Sequence, residues 1–251
     1  MLSPLIRIRN LHKRLGRQHV LRGFDLDVTA GETLVVLGRS GGGKSVLLKH
    51  IIGLMKPTSG EVFVEGENIT GLSERKLAAI RKKIAILFQS AALFDSMNVA
   101  ENISFPLVEA GEINPRVLEQ KVAEALEMVD LAGEQKKMPE NLSGGMRKRV
   151  GLARAIVGKP ECILYDEPTT GLDPIVADSI NRLIRRLQKR LGVTSIVVTH
   201  DMKSAFHVAD QVAYLHEGRV YFKGTPDELR ASDDPLIQDF IEGRSNEIKE
   251  Q

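Results

Sequence analysis

The stretch that decides the fold is Gly38-Arg39-Ser40-Gly41-Gly42-Gly43-Lys44-Ser45. It matches the pattern GxxxxGK[ST] and stands between an apolar run, residues 33–37, and a predicted helix that runs from Lys44 to about Leu54. Glycines let successive backbone N–H groups turn toward phosphate oxygens, and the following helix N-terminus adds partial positive charge. The stretch therefore predicts a phosphate-binding loop (P-loop), with Lys44 reaching the β- and γ-phosphates of a nucleotide and Ser45 binding Mg²⁺.

Two acidic residues end a second predicted strand, residues 162–166. Asp166 and Glu167 form the arrangement expected of a Walker B element, in which Asp166 holds Mg²⁺ and Glu167 polarises the attacking water. A strand predicted over residues 195–199 brings His200 to the same carboxyl edge of the sheet, where ligands of open α/β folds bind. His200 is therefore a candidate contact for the γ-phosphate. A pair of solvated acids at a strand end is the alternative for Asp166 and Glu167.

A further anion-binding geometry lies between these elements, in Asn141-Leu142-Ser143-Gly144-Gly145-Met146-Arg147-Lys148-Arg149. Ser143, Gly144 and Gly145 precede a predicted apolar helix over residues 150–157, and a helix N-terminus attracts anions. The chain already has one phosphate-binding loop. A second phosphate-binding element in the same chain is explained if it contacts the ATP bound to another copy of the chain.

The composition excludes several classes of protein. Lys and Arg (35) nearly balance Asp and Glu (33), so the net charge of +2 provides no global field for nucleic acid or an anionic membrane. The apolar runs are far shorter than the roughly 18–20 residues of a membrane-spanning helix, and arginines interrupt the N-terminus where a signal peptide needs an apolar core. The single cysteine, Cys162, is expected to be packed and inert in a reducing compartment. We expect a cytoplasmic protein that binds no nucleic acid.

The order of predicted elements indicates an α/β fold. The N-terminal third is rich in short strands, and the middle, about residues 90–158, is helical. After Pro160 the pattern is strand, helix, strand. The apolar stripe of that helix is predicted to be Ile175, Ile180, Leu183, Ile184, Leu187 and Leu191. Strands that alternate with helices predict a parallel sheet covered on both faces, with the helical middle as an inserted subdomain.

These motifs occur in the order of the ABC transporter nucleotide-binding subunit, which the chain resembles over roughly residues 5–243. The matching features are the P-loop, Gln89 after a strand over residues 84–88, the signature LSGGM, Asp166-Glu167, the loop Thr170-Gly171-Leu172-Asp173 and His200. The resemblance implies a single ABC ATPase domain: a P-loop NTPase core with a parallel sheet, an N-terminal antiparallel β subdomain and the inserted α-helical subdomain. A short charged tail, residues 244–251, is expected to be disordered.

The resemblance also implies ATP and Mg²⁺ as cofactors and a head-to-tail dimer as the active form. Each of two ATP molecules lies between one P-loop and the other copy's Ser143, Gly144 and Gly145. Gln89 acts in catalysis and in binding Mg²⁺, and Asp173 belongs to the nucleotide site. The groove near Gln89 faces the coupling helix of an integral membrane permease.

The chain departs from the family pattern at two positions. Leu15 stands just after the predicted first strand, where family members usually carry an aromatic residue that stacks on adenine. Leu15 offers only apolar contact to the base, which leaves the selectivity for ATP over GTP open. Met146 replaces the usual glutamine of the signature, which removes one side-chain hydrogen bond and keeps the serine and glycine contacts.

Two segments of the sequence point to one group within the ABC family. Residues 87–99, LFQSAALFDSMNV, and residues 142–156, LSGGMRKRVGLARAI, resemble the Mla/Mce-type lipid transport ATPases of bacteria. This group implies a subunit that moves lipid, with phospholipid expected, between membranes of the bacterial envelope. The partners would be a second copy of the chain, an MlaE-like permease and, indirectly, an MCE-domain lipid-binding protein. The chain would be peripheral, at the cytoplasmic face of the inner membrane.

Two other kinds of ABC protein stay open as alternatives. A lipoprotein-release or cell-division ATPase would transmit force to a membrane partner without transporting substrate. A soluble ABC protein of DNA repair or translation usually carries two nucleotide domains, coiled-coil insertions or zinc modules, and the sequence has none of these.

Overall fold

Two β-sheets organise the computed structural model, which describes residues 4–244. The strands are β1 (Ile6–Leu15), β2 (Gln18–Val28), β3 (Thr33–Leu37), β4 (Ser59–Val64), β5 (Glu67–Asn68), β6 (Ile84–Leu87), β7 (Cys162–Asp166), β8 (Thr194–Thr199), β9 (Gln211–His216) and β10 (Arg219–Gly224). The helices are α1 (Lys44–Ile51), α2 (Glu74–Lys83), α3 (Val99–Glu109), α4 (Pro115–Met128), α5 (Gly144–Ile156), α6 (Pro174–Leu191), α7 (Met202–Val208), α8 (Pro226–Arg230) and α9 (Pro235–Ile241). A short 3₁₀ turn, Pro139–Asn141, precedes α5.

The larger sheet has six strands in the order β10-β9-β3-β8-β7-β6. Strands β9, β3, β8, β7 and β6 run parallel, and β10 pairs antiparallel with β9. Every residue of β3 and β8 is buried, as expected for parallel strands covered on both faces. The carboxyl ends of β3, β7 and β8 lie side by side, so the segments that follow these three strands meet at one edge. The predicted α/β fold with a parallel sheet is confirmed, with β10 as an antiparallel addition.

The smaller sheet is antiparallel, in the order β2-β1-β4-β5. It forms one hydrophobic core with α1 and one face of the larger sheet, to which Leu34 and Val36 of β3 contribute. Val35 and Leu37 point to the opposite face, where they join a second core with α3 to α7. The predicted N-terminal antiparallel subdomain and the inserted helices, α3 to α5, are both present.

The structure corrects five details of the sequence interpretation. Helix α5 begins at Gly144 rather than at residue 150, because Ser143 caps it. Leu191, at the end of α6, is 37% exposed and lies outside the buried stripe of that helix. Helix α1 ends at Ile51 rather than near Leu54. Strand β1 extends through Leu15, so this residue ends the strand instead of following it. Ile175 is 83% exposed and does not belong to the buried stripe of α6. The reason is angular, since five helical steps place Ile175 about 140° away from Ile180.

Two further expectations concern the ends of the chain and the membrane. The predicted disordered tail lies outside the described residues except for Arg244. Within residues 4–244, no helix combines the length and the apolar character that crossing a membrane requires.

Candidate functional site

The P-loop lies between β3 and α1 and is packed tightly against its neighbours. Gly43, which precedes α1, has φ 99°, and a Cβ there would lie 2.9 Å from Cγ1 of Val20. A Cβ at Gly38 would lie 2.8 Å from the carbonyl oxygen of Leu215 in β9. Glycine is therefore required at Gly38 for steric reasons, and at Gly43 for its left-handed backbone as well as for space. Arg39, Ser40 and Gly41 form the exposed rim of the loop.

Lys44 folds back over the loop. Its side chain is 5% exposed, and Nζ donates hydrogen bonds to the carbonyls of Gly38 at 2.8 Å and Arg39 at 3.2 Å. Nζ also lies 3.3 Å from Oε1 of Glu167. The ammonium group is thus positioned between the phosphate loop and the acidic strand end, where the terminal phosphate of a nucleotide can take over these contacts.

Ser45 and Asp166 converge although they are far apart in the sequence. The Ser45 hydroxyl donates a 2.8 Å hydrogen bond to Oδ1 of Asp166. Burial raises the pKa of Asp166, the hydrogen bond from Ser45 opposes this, and the neighbouring charge of Glu167 adds to it. A hydroxyl and a carboxylate are hard oxygen ligands, which suit Mg²⁺ bound partly through substrate phosphates. These two residues fit the predicted metal site.

Glu167 is the most heavily contacted group of the site. Its backbone is left-handed, with φ 47°, and the residue is 8% exposed. The hydroxyls of Thr170 and Thr199 each donate to Oε2 at 3.2 Å, and Nδ1 of His200 lies 3.0 Å from the carboxylate. Burial acts to raise the pKa of Glu167, but the hydrogen bond from His200 and the charges of Lys44 and His200 outweigh it and lower the pKa. The carboxylate is thus held ionised, as a general base must be.

His200 follows β8 and reaches solvent at the mouth of the site. Its side chain is 48% exposed while its Nδ1 contacts Glu167, so the other ring nitrogen is free to meet a ligand. A cleft of about 420 Å³ lies beside it, between the loop of residues 169–173 and α7. The structure therefore brings together Lys44, Ser45, Asp166, Glu167 and His200 at one sheet edge.

The signature residues lie apart from this cluster within one chain. Ser143 is the N-cap of α5 and accepts a hydrogen bond from Met146 N at 3.2 Å. Gly145 packs against α6, because a Cβ there would lie 2.6 Å from Cγ1 of Val176. Ser143 and Gly144 are exposed, and in residues 4–244 their hydrogen bonds do not reach the P-loop. The exposed end of α5 is available to a ligand brought by another molecule.

Three predicted site residues are not gathered into the cluster. Gln89 is exposed, and its side chain makes no hydrogen bond within the described part of the chain. Asp173 caps α6, with Oδ1 accepting from the backbone N–H groups of Ile175 and Val176 at 3.0 Å each. Leu15 is 43% exposed at the end of β1. Their predicted roles stay predictions.

Sequence reasoning missed Lys148 as part of the site. It is 4% exposed, and Nζ donates to the backbone carbonyls of Gln89 and Glu167. Burial lowers the pKa of Lys148, and the charges of Asp166 and Glu167 oppose this. The predicted helix began at residue 150, whereas α5 begins at Gly144 and carries Lys148 on its buried face. A helix pattern extended back to Ser143 would have placed this lysine in line with the apolar residues.

Comparison with known proteins gives a consistent result. The model of the ABC transporter family matches residues 21–170. The probable ribonucleotide transport ATP-binding protein mkl of Mycobacterium leprae is 40% identical over 239 residues, which cover 95% of this chain and 69% of mkl. The intermembrane phospholipid transport system ATP-binding protein MlaF of Escherichia coli is 38% identical over 241 residues, which cover 96% of this chain and 90% of MlaF.

A plant relative and a solved structure extend the similarity. The chloroplastic protein TRIGALACTOSYLDIACYLGLYCEROL 3 of Arabidopsis thaliana is 37% identical, covering 95% of this chain and 74% of the relative. The dimeric post-hydrolysis structure of the ATP-binding cassette MJ0796, bound to ADP and Pi, has a TM-score of 0.81 and 32% identity. That match covers 88% of this chain and 98% of MJ0796.

Proposed function

We propose that this chain, which belongs to the ABC transporter family, drives the movement of lipid between membranes of the bacterial envelope. The chain is an ATP hydrolase of the ABC type. The observation that carries the lipid proposal is the 38% identity to a phospholipid transport ATPase along 90% of that protein's length. The plant relative is named after trigalactosyldiacylglycerol, which is a glycerolipid.

The P-loop and the ammonium group of Lys44 would bind the phosphates of ATP. The glycine N–H groups of residues 38–43 would surround the β-phosphate, and Lys44 would reach the γ-phosphate. In this structure the Lys44 ammonium group donates hydrogen bonds to the carbonyls of Gly38 and Arg39 and forms an ion pair with the carboxylate of Glu167. A phosphate oxygen offers a stronger acceptor than a neutral carbonyl, so ATP binding would redirect Lys44.

Hydrolysis would use the acidic strand end. Ser45 and Asp166, joined by their hydrogen bond, would hold Mg²⁺ together with Gln89, and the ion would neutralise charge on the phosphate oxygens. Glu167 would accept the proton of the attacking water, since its lowered pKa keeps it ionised. His200, which contacts the Glu167 carboxylate through Nδ1, would contact the γ-phosphate through its exposed side.

A second copy of the chain would complete each site. Ser143, Gly144 and Gly145 lie at the start of α5, on the surface or directly beneath it, and in a position to meet a phosphate from outside. The structural relative MJ0796 is a dimer with ADP and Pi. Two ATP molecules would be enclosed between the two chains, with Asp173 near the interface. Leu15 would give only apolar contact to the base, so the site would select weakly between ATP and GTP.

The membrane partners follow from the proposed transport function. The groove near Gln89 would receive an MlaE-like permease, and an MCE-domain protein would carry the lipid beyond it. The chain would then work at the cytoplasmic face of the inner membrane. The name of mkl gives ribonucleotides as the cargo of that relative, and ribonucleotide is therefore the specific alternative to lipid.

Reconstitution of the whole complex tests the proposal. The chain would be purified with its permease and MCE-domain protein and placed in vesicles, and movement of fluorescent phospholipid to acceptor vesicles would be followed with Mg-ATP. We expect transfer that requires ATP and stops with Glu167→Gln. Hydrolysis without lipid transfer would favour the force-transmitting alternative, and ATP-dependent uptake of labelled ribonucleotide would favour the function named for mkl.

A further inference from the structure

Lys148 lies inside the molecule, between the acidic strand end and the segment that follows β6. Its side chain is 4% exposed, and its Nζ donates hydrogen bonds to the carbonyl of Gln89 and, at 3.3 Å, to the carbonyl of Glu167. Gln89 begins the segment predicted to face the permease, and Glu167 carries the proposed catalytic carboxylate. One ammonium group therefore bridges two functional regions.

A buried ammonium is an energetically costly way to fill this space. Lys148 shares a face of α5 with the buried residues Gly145 and Leu152, since residues three or four positions apart lie above one another on a helix. A methionine there would pack without the desolvation penalty of a charge. The lysine provides what an apolar residue cannot, namely two hydrogen bonds to backbone carbonyls beside the carboxylates of Asp166 and Glu167.

Arg154, also on α5, binds the other end of the segment 89–92. The guanidinium of Arg154 donates to the carbonyl of Ala91 at 2.6 Å and to that of Ala92 at 2.9 Å. Both alanines are left-handed, with φ 62° and φ 45°, a conformation that L-residues keep only when their surroundings hold it. The segment is thus attached to α5 at both ends.

We propose that Lys148 is a positioning residue for ATP hydrolysis that links the Glu167 backbone to α5 and to the segment 89–92. This inference rests on the proposed function, because it takes Glu167 as the residue that activates water. The start of α5 carries Ser143, which would approach the ATP of the second copy. A shift of α5 on dimer closure or permease binding is transmitted by the Lys148 ammonium to the Glu167 carbonyl.

Steady-state ATPase measurements on the full-length chain test this role. Lys148→Met fills the space without a donor, and we expect kcat to fall about tenfold or more while KM for ATP stays within about twofold. Lys148→Arg keeps a cationic donor and should restore most of kcat. Lys189→Met removes the same charge from the exposed face of α6 and should leave both constants unchanged.

The outcomes separate positioning from simple structural support. If Lys148→Met does not fold, Lys148→Gln, which is too short to span both carbonyls, replaces it in the comparison with Lys148→Arg. In the complete complex with the permease, Lys148→Met should also lose the stimulation of ATPase activity that the permease provides. Native kcat in Lys148→Met, or equal losses in Lys148→Met and Lys148→Arg, would overturn the inference. If the native chain itself hydrolyses no ATP, the proposed function fails first.

Discussion

Glu167 combines an unfavourable backbone conformation with a dense set of donors. Its φ of 47° is rare for a residue other than glycine, asparagine or aspartate, and the carboxylate is surrounded by His200, Thr170, Thr199 and Lys44. Strain of this kind persists where the surroundings determine it, and such places are often functional. The contacts explain why the carboxylate stays ionised although it is buried.

Replacement of this carboxylate gives the most direct prediction. Glu167→Gln keeps the size of the side chain but cannot accept the proton of water, so ATP hydrolysis should fall by about 100-fold or more while ATP binding is retained. A phosphate-release assay and nucleotide titration measure the two effects. Glu161→Gln changes a half-exposed acid just before the same strand and serves as the control. Native turnover in Glu167→Gln would remove the residue from the catalytic role.

A buried histidine in the last turn of α1 gives a prediction about pH. His50 is 2% exposed, Nδ1 donates to the carbonyl of Val46 at 2.7 Å, and Nε2 has no hydrogen-bond partner in the described part of the chain. Burial lowers its pKa below 6.5, an effect that the hydrogen bond only partly offsets. The unfolded chain therefore binds a proton at pH values where the folded chain does not. The free energy of unfolding should fall as the pH drops through about 6.5, by at most about 1.4 kcal/mol per pH unit.

Thermal unfolding between pH 7.5 and 5.5 measures this dependence. His50→Gln should flatten the decline of Tm toward acid pH. Parallel profiles for the native chain and His50→Gln would contradict the prediction.

Helix α3 organises the loop that precedes it through one buried amide. Asn102 is 0% exposed, and its Nδ2 donates to the carbonyls of Phe94, Met97 and Asn98 at 3.1, 2.9 and 3.1 Å. Its Oδ1 accepts from Phe94 N at 2.8 Å. The side chain of Asn102 thus holds the loop of residues 94–98, which belongs to the segment proposed to face the permease.

Removal of the Asn102 amide should destabilise helix α3 with its preceding loop and should weaken the interaction with the permease. Asn102→Leu keeps a similar volume but leaves four part-buried hydrogen bonds unmade, so we expect the free energy of unfolding in urea to fall by about 2–4 kcal/mol. Co-purification with the permease should also decline. Asn114→Ala removes the exposed N-cap of α4, which should cost only about 1 kcal/mol and leave the permease interaction intact. Native stability in Asn102→Leu would contradict this account.

The whole molecule carries the two proposed halves of the nucleotide site at separate places. The P-loop cluster lies at the carboxyl edge of the larger sheet, whereas Ser143 caps α5, which packs against α6. Because no hydrogen bond joins the two places within residues 4–244, we expect a second chain to supply one of them to each ATP. Such an arrangement makes ATP a cause of dimer closure, because the nucleotide has its full contacts only in the closed state.

Ser143→Arg tests this arrangement. The larger, charged side chain should block closure and spare nucleotide binding to the separate chain. Light scattering with ATP, in a Glu167→Gln background that prevents hydrolysis, should detect dimers only when Ser143 is intact. Ser73→Arg makes the same change at the exposed start of α2 and should not affect dimerisation. Normal ATP-driven dimerisation of Ser143→Arg would reject the shared site.

The sequence by itself determined the P-loop, the acidic strand end, His200 and the signature helix. It did so because glycines at fixed spacing, buried apolar runs and helix-capping residues restrict the backbone locally, and a parallel sheet then brings the strand ends to one edge. Only the tertiary structure decided that Lys148 joins Gln89 to Glu167, residues that lie 59 and 19 positions away from it. The backbone carbonyls that it contacts are common to all residue types, so no pattern of side chains in the sequence identifies them before the chain is folded.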